Sequence, residues 1–153
     1  MKSDRRNKVA MTRILIADGN RLFREKMKQI IADNFDSVLT SEASNGHEVL
    51  DELTRHAFDL LILDLELLDG NGFNVLKKIM VITPDIPVLI ISMFPVEQYE
   101  ESVFRAGAYG YVSKVNLAKE LIVALQKIFR GQKYFSSRST ITSRGESSLS
   151  AWK

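Results

Sequence analysis

Four polar side chains that could do chemistry stand at the ends of short apolar runs. Asp18 ends "ILIAD", Asp64 ends "LLILD", Ser92 ends "VLIIS" and Lys114 ends "YVSK". If the runs are parallel strands, their carboxyl ends meet at the sheet edge where ligands bind. Buried acids are costly, so we expect Asp18 and Asp64 to face water, a cation or Lys114. Two carboxylates, a hydroxyl and an ammonium around one point suit a phosphoryl group and Mg²⁺.

The elements that would position these side chains alternate along the chain. Segments with helical apolar periodicity separate the runs, and Gly131 follows the last of them. Such alternation predicts a doubly wound, flavodoxin-like α/β domain, with a five-stranded parallel sheet and five helices. The predicted strands are Arg13–Ala17, Ser37–Ala43, Leu60–Asp64, Val88–Ser92 and Gly110–Ser113.

Composition excludes several classes of site. The 153 residues are 45% hydrophobic and include no cysteine, which excludes disulfides, zinc–thiolate sites and cysteine nucleophiles. No apolar run approaches the roughly 20 residues of a membrane span, so no membrane partner is predicted. The N-terminus "MKSDRRNKVAMT" lacks the apolar centre of a secretory signal. A cytoplasmic location is therefore predicted.

Charge and composition divide the chain into three parts. Residues 1–11 are predicted to be a flexible basic tail, 12–134 the domain, and 135–153 a Ser-rich, disordered tail. The net charge of +2 conceals basic ends on an acidic body. Basic ends can contact nucleic acid, but short solvated tails are the preferred explanation.

Four motifs resemble the receiver domain of two-component response regulators. They are "ILIADGN", "FDLLILDLELLDGNGFNVLKKI", "IPVLIIS" and "AGAYGYVSK", in the usual order and at suitable separations. The ending "NLAKELIVALQKIFRGQKYFS" resembles the NarL/FixJ (LuxR-type) subfamily, whose receivers usually precede a helix-turn-helix domain. Such a domain needs roughly 60 residues, more than the sequence offers after Gly131, so DNA binding is expected only with an additional domain.

The resemblance implies a role for each position. Asp64 corresponds to the phosphoacceptor of a histidine kinase, Lys114 to the partner of the phosphoryl oxygens, and Ser92 to the hydroxyl that draws its loop inward. Tyr111 corresponds to the aromatic switch residue, although it is equally readable as a structural tyrosine. The implied Mg²⁺ ligands are Asp18, Asp64 and the backbone carbonyl of Glu66. Asp18 alone could instead be a helix N-cap.

Three positions depart from the family's pattern. Gly19 stands where a second metal-binding acid is usual, Leu68 where a proline is common, and Val115 where another proline often occurs. Water can fill a coordination position of Mg²⁺ but cannot replace a negative charge. We therefore expect weak Mg²⁺ binding and slow phosphorylation, and a Gly19→Asp variant to strengthen both if the backbone accepts a side chain.

Three functions follow as alternatives. The preferred one is a phosphorylation-responsive signalling module that is not a general enzyme, with a histidine kinase as partner. A pseudo-receiver, used for constitutive docking or dimerisation, is the second, and the receiver part of a DNA-binding regulator is the third. A homodimer through the C-terminal helical face is also predicted, because "FRGQKYF" continues apolar content past Gly131.

Overall fold

A computed structural model describes residues 11–135 and contains one six-stranded parallel sheet. The sheet order is β2-β1-β3-β6-β7-β8, and a separate antiparallel hairpin pairs β4 with β5. The strands are β1 (Thr12–Ala17), β2 (Val38–Ala43), β3 (Leu60–Asp64), β4 (Glu66–Leu67), β5 (Gly70–Asn71), β6 (Val88–Ser92), β7 (Gly110–Ser113) and β8 (Tyr134–Phe135).

Five α-helices connect the strands, as predicted. They are α1 (Arg21–Asn34), α2 (Gly46–Arg55), α3 (Gly72–Ile82), α4 (Val96–Arg105) and α5 (Leu117–Phe129), with a 3₁₀ turn at Lys114–Asn116. Asparagine side chains accept hydrogen bonds from first-turn N–H groups of α1, α2 and α3. These caps fix where the helices begin, just beyond the carboxyl ends of β1, β2 and the β5 hairpin.

The sheet separates two apolar cores because successive strand residues face opposite sides. In β3, Leu61 and Leu63 belong to the core formed with α2, α3 and α4. Their neighbours Leu60 and Ile62 belong to the core formed with α1 and α5. Helices therefore cover both faces, which explains why β3 and β6 are apolar almost throughout.

The predicted doubly wound fold is confirmed, but the strand count is six, because β8 joins the edge beside β7. Gly131 ends α5 at positive φ, and the Tyr134 N–H donates to the Tyr109 carbonyl. A two-residue strand has no detectable alternation, so the sequence pattern does not indicate it. Phe135, assigned from sequence to the tail, is buried in this strand.

The predicted tails lie mostly outside the described residues. Residues 1–10 and 136–153 are not described, so the predictions of a flexible basic N-terminus and a disordered Ser-rich C-terminus remain predictions. Within residues 11–135, no helix is both long enough and apolar enough to cross a membrane.

Candidate functional site

The carboxyl edge of the sheet brings two acids and a lysine into contact. Lys114 Nζ lies 2.8 Å from Asp18 Oδ2 and 2.9 Å from Asp64 Oδ2. All three residues are buried, with exposures of 0% for Asp18, 1% for Asp64 and 6% for Lys114. Of the three partners expected from sequence for the acids, the structure thus shows Lys114. The single ammonium contacts both acids and offsets part of a negative charge that would be costly to bury alone.

Backbone contacts hold both acids in place. Asp18 Oδ1 accepts from the Asn20 N–H at 2.7 Å, and its carbonyl accepts from Arg24 Nη1 at 2.7 Å. The N-cap of α1 is Asn20, so the alternative in which Asp18 caps this helix is wrong. Asp64 Oδ1 accepts from the Glu66 N–H at 3.0 Å. The carboxylates are therefore oriented before any ligand arrives.

A close backbone approach supports Asp64 from behind. A side-chain carbon added at Gly72 would collide with the carbonyl oxygen of Asp64 and lie 2.9 Å from Leu65 Cα. The Gly72 N–H also donates to the Leu65 carbonyl at 3.0 Å. Gly72, the second glycine in "DGNG", thus allows α3 to begin directly against the end of β3.

Burial and charge shift the titration of the central pair. Burial raises the pKa of Asp64 to about 7, and the nearby Asp18 adds to the rise, against the lowering effects of the Glu66 N–H and Lys114. Burial lowers the pKa of Lys114, but its hydrogen bonds with Asp18 and Asp64 outweigh this and raise the pKa overall. Lys114 therefore stays protonated between the two carboxyl groups.

Phe23 is a contact that sequence analysis did not assign to the site. Lys114 Nζ lies 4.4 Å from the centre of its ring, a cation–π arrangement that adds to the stability of the buried ammonium. Phe23 shares an apolar face of α1 with core residues, so no sequence signal distinguishes it from them. The same ring lines an open depression of about 470 Å³ above Asp64.

Ser92 is buried at the end of β6, and its hydroxyl is hydrogen-bonded to Glu66 and to the loop that follows. It donates to Glu66 Oε2 at 2.7 Å and accepts from the Phe94 N–H at 2.9 Å. The other Glu66 oxygen, Oε1, accepts from the Met93 N–H at 3.2 Å. From sequence we assigned only the carbonyl of Glu66, and the structure adds a role for its carboxylate. The sequence did offer one signal for this role. Residues 64 and 66 of an extended chain face the same side, so the Glu66 side chain could be expected on the side of Asp64.

Tyr111 is fully buried in β7, and its hydroxyl donates to the Phe94 carbonyl at 3.0 Å. Burial is the largest cause that raises the pKa of its phenol. The loop after β6 is thus attached both to Glu66 and to Tyr111. Whether Tyr111 switches remains a prediction.

Leu68 explains what Gly19 does in this structure. A side-chain carbon at Gly19 would lie 2.9 Å from Leu68 Cγ and 3.0 Å from Leu68 Cδ2, closer than van der Waals contact allows. Leu68 itself is 70% exposed, so solvent surrounds most of its side chain. Two departures from the family pattern are therefore in contact. The φ angle of Gly19 is not positive, but the Leu68 side chain occupies the space and the Leu68 backbone nitrogen would lie 3.2 Å from the added carbon.

The donor set fits a weakly held Mg²⁺. Asp18 and Asp64 offer the hard oxygen ligands that this ion prefers, and water can complete an octahedron. Lys114 already neutralises much of their charge, and no group of three or more His, Asp or Glu side chains within residues 11–135 is placed to hold a metal. The side chain of Leu68 blocks the place of a further acid beside Asp18.

Comparison with known proteins settles the family. The response regulator receiver domain matches residues 14–126. The chain belongs to this family. It is a signal-receiving module of two-component systems, and receiver domains of this kind are generally phosphorylated by histidine kinases and bind Mg²⁺ in an acidic pocket.

Two relatives illustrate the match. The oxygen regulatory protein NreC of Staphylococcus epidermidis is 32% identical over 129 residues, covering 84% of this chain and 59% of NreC. The uncharacterized transcriptional regulatory protein YxjL of Bacillus subtilis is 31% identical, covering 80% and 56%. The chain spans less than two thirds of both relatives.

A crystal structure of a LuxR-family response regulator from Aurantimonas shares the fold, with a TM-score of 0.77 and 24% identity, covering 86% of this chain and 94% of that one.

Proposed function

We propose that Asp64 accepts a phosphoryl group from a histidine kinase. The observation that supports this most directly is the buried contact of Lys114 with Asp64, 2.9 Å long, at the strand edge where ligands bind. Asp64 is the nucleophile: one carboxylate oxygen forms a bond to phosphorus while the phosphorus–nitrogen bond of the kinase phosphohistidine breaks. The product is an aspartyl phosphate. The electron pair of the broken bond stays on the imidazole nitrogen, which takes its proton from water.

The surrounding residues of this receiver act by position and charge, as phosphoryl transfer requires. Lys114 pairs with the phosphoryl oxygens, and the Glu66 N–H holds Asp64 in orientation. Asp18, Asp64 and the Glu66 carbonyl are the proposed ligands of a weakly bound Mg²⁺, which when bound neutralises charge on the transferred group. Ser92 donates to the phosphoryl group once it is released from Glu66.

The test is treatment with a small-molecule phosphodonor and Mg²⁺, followed by intact mass. We expect one phosphoryl adduct, lost in Asp64→Asn and kept in Asp85→Asn, a change in the loop before β6. An adduct that survives in Asp64→Asn would place the chemistry elsewhere.

A pseudo-receiver is the second candidate, and the contact between Leu68 and Gly19 favours it. With that contact in place, the metal site has two carboxylates and a competing ammonium. No adduct at any Mg²⁺ concentration is the result expected of a constitutive docking or dimerisation module. The Mg²⁺ dependence of the adduct therefore separates the two candidates.

A homodimer through α5 belongs to the same proposal. The apolar content after Gly131 that suggested it is partly used within the domain, since Phe135 is buried in β8. Val123 and Phe129 are the large apolar side chains of α5 that stay exposed, at 40% and 41%. We expect sedimentation to show self-association that Val123→Glu weakens. A monomer at every concentration, with and without beryllofluoride, is incompatible with it.

A contribution to DNA binding is proposed only through a further domain. YxjL carries the name of a transcriptional regulatory protein, and this chain matches about half of it. Residues 11–135 form the receiver alone. The cytoplasmic location predicted from sequence likewise stays a prediction.

A further inference from the structure

A relay of hydrogen bonds connects Glu66 with Tyr111. Glu66 accepts from the Ser92 hydroxyl and the Met93 N–H, Ser92 accepts from the Phe94 N–H, and the Phe94 carbonyl accepts from the Tyr111 hydroxyl. Both oxygens of one carboxylate thus hold the loop that follows β6. Every donor in this relay lies at the carboxyl edge of the sheet.

The backbone of Glu66 is itself fixed. Its N–H donates to Asp64 Oδ1, and Glu66 pairs with Asn71 across the β4–β5 hairpin. The carboxylate therefore starts from an anchored position two residues after Asp64. A charge-assisted bond as short as 2.7 Å, from the Ser92 hydroxyl, is among the stronger contacts a loop can have.

Ser92 has a single proton to donate. It can give that proton to Glu66 or to a phosphoryl oxygen on Asp64, but not to both. A carboxylate and a phosphoryl group present the same kind of acceptor, namely anionic oxygens. Glu66 therefore competes for the hydroxyl that the proposed function assigns to the phosphoryl group.

We propose that Glu66 is a positioning residue that holds the Ser92–Phe94 loop in place of phosphoryl oxygens, so that Tyr111 is buried without phosphorylation. The part concerning the phosphoryl group rests on the proposed function, whereas the hold on the loop does not. Phosphorylation shifts an equilibrium only by its differential contacts with the two arrangements. Because Glu66 already holds the loop, a phosphoryl group on Asp64 should change the position of the loop only slightly.

The first experiment uses no phosphodonor. Amide hydrogen exchange at Met93 and Phe94, with the Tyr111 ring followed by NMR, compares the wild type with Glu66→Gln and Glu66→Ala. We expect Glu66→Ala to speed exchange at both amides about tenfold, the effect of losing charge-assisted hydrogen bonds, and to shift the Tyr111 ring signals. Glu66→Gln, which keeps the shape and one acceptor, should fall between, and Glu52→Ala in α2 should match the wild type.

The second experiment adds beryllofluoride and Mg²⁺ to the same proteins. We expect little change in wild-type exchange and recovery of protection in Glu66→Ala. Unchanged exchange and unchanged Tyr111 signals in Glu66→Ala without beryllofluoride would overturn the proposal. So would a measurable change in wild-type exchange on adding beryllofluoride that is as large as the change in Glu66→Ala.

Failure of the proposed function gives a different pattern. If Asp64 takes no phosphoryl group, intact mass shows no adduct and neither protein responds to beryllofluoride. The increased exchange of Glu66→Ala would still appear, and would support the positioning role on its own.

Discussion

Lys114 sets the electrostatic balance at the scale of single residues. Its ammonium compensates two carboxylates that are almost completely buried. Removing one partner of a buried ionic group leaves uncompensated charge, and that cost exceeds what the intact group contributes to stability. The lysine is thus a structural requirement of the two buried acids as well as a proposed partner of phosphoryl oxygens.

We therefore expect Lys114→Met to lower the free energy of unfolding by about 3–5 kcal/mol. Urea denaturation measures this, with Lys119→Met on the exposed side of α5 as the control. Adding Asp64→Asn to Lys114→Met removes one of the two stranded charges and should recover part of the loss. A Lys114→Met protein as stable as the control would show that the acids do not depend on this cation.

Gly19 and Leu68 make a second residue-scale prediction. Gly19→Asp alone meets Leu68, so we expect lower stability and little gain in Mg²⁺ affinity. Gly19→Asp combined with Leu68→Ala removes the two closest atoms and restores a charge, which should tighten Mg²⁺ binding about tenfold or more. Calorimetry measures the affinity, with Leu68→Ala as the matched control. Equal gains in the single and double variants would mean that Leu68 is no obstacle.

Sequence reasoning located Asp18, Asp64, Ser92 and Lys114 at one edge because strand ends are visible as apolar runs. It did not find the contact of Leu68 with Gly19, since the packing of a loop side chain depends on the path of the backbone. The carboxylate of Glu66 was missed for a related reason. Its partner Ser92 lies 26 positions away and meets it only in the folded chain.

At the scale of elements, the start of α3 determines where Asp64 sits. We expect Gly72→Ala to destabilise the protein by about 1–3 kcal/mol, because the added methyl group overlaps the Asp64 backbone. The urea concentration at the unfolding midpoint and the rate of phosphorylation should both fall. Asn74→Ala, an exposed position in the same helix, is the control. Normal stability with normal phosphorylation in Gly72→Ala would contradict the close approach.

The edge strand β8 gives a prediction about alkaline pH. Burial, and then the charge of Glu120, raises the pKa of Tyr134 to about 12 from its ordinary 10.0. A raised phenol pKa favours the folded state fully below pH 10, and this contribution is lost as the pH rises toward 12. Tyr134→Phe should therefore show a shallower loss of stability above pH 10.

Phenolate absorbance provides the direct readout for Tyr134. One of the four tyrosines should titrate near pH 12, and that step should disappear in Tyr134→Phe. If the late step persists in the variant, it belongs to another tyrosine, and the burial of Tyr134 beside Glu120 is not its cause.

The elements themselves were largely predictable. Five strands and five helices follow from apolar periodicity, and Leu60–Asp64, Val88–Ser92 and Gly110–Ser113 begin and end where the sequence indicates. The hairpin of β4 and β5, and β8, were not predictable, because two-residue strands are defined by partners and leave no periodic trace.

At the scale of the whole molecule, one sheet supports two cores. Ile62 and Leu63 are neighbours in β3 but belong to opposite cores, and both are fully buried. A strand shared by two cores should couple them into a single cooperative unit.

We expect Ile62→Ala and Leu63→Ala each to lower the free energy of unfolding by about 2–5 kcal/mol. Circular dichroism and tyrosine fluorescence should report the same urea midpoint in each variant. Leu39 is half-exposed in β2, so Leu39→Ala should lower the free energy of unfolding by less. Two separated transitions would show instead that the faces unfold independently.

The contact between Leu68 and Gly19 also constrains how this site can change over generations. A first step at Gly19 requires the leucine side chain to move aside, which lowers the gain from the new acid. A first step at the exposed Leu68 costs little and opens the space for a later acid. A further metal-binding acid is therefore gained more readily when Leu68 changes before Gly19 than when Gly19 changes first.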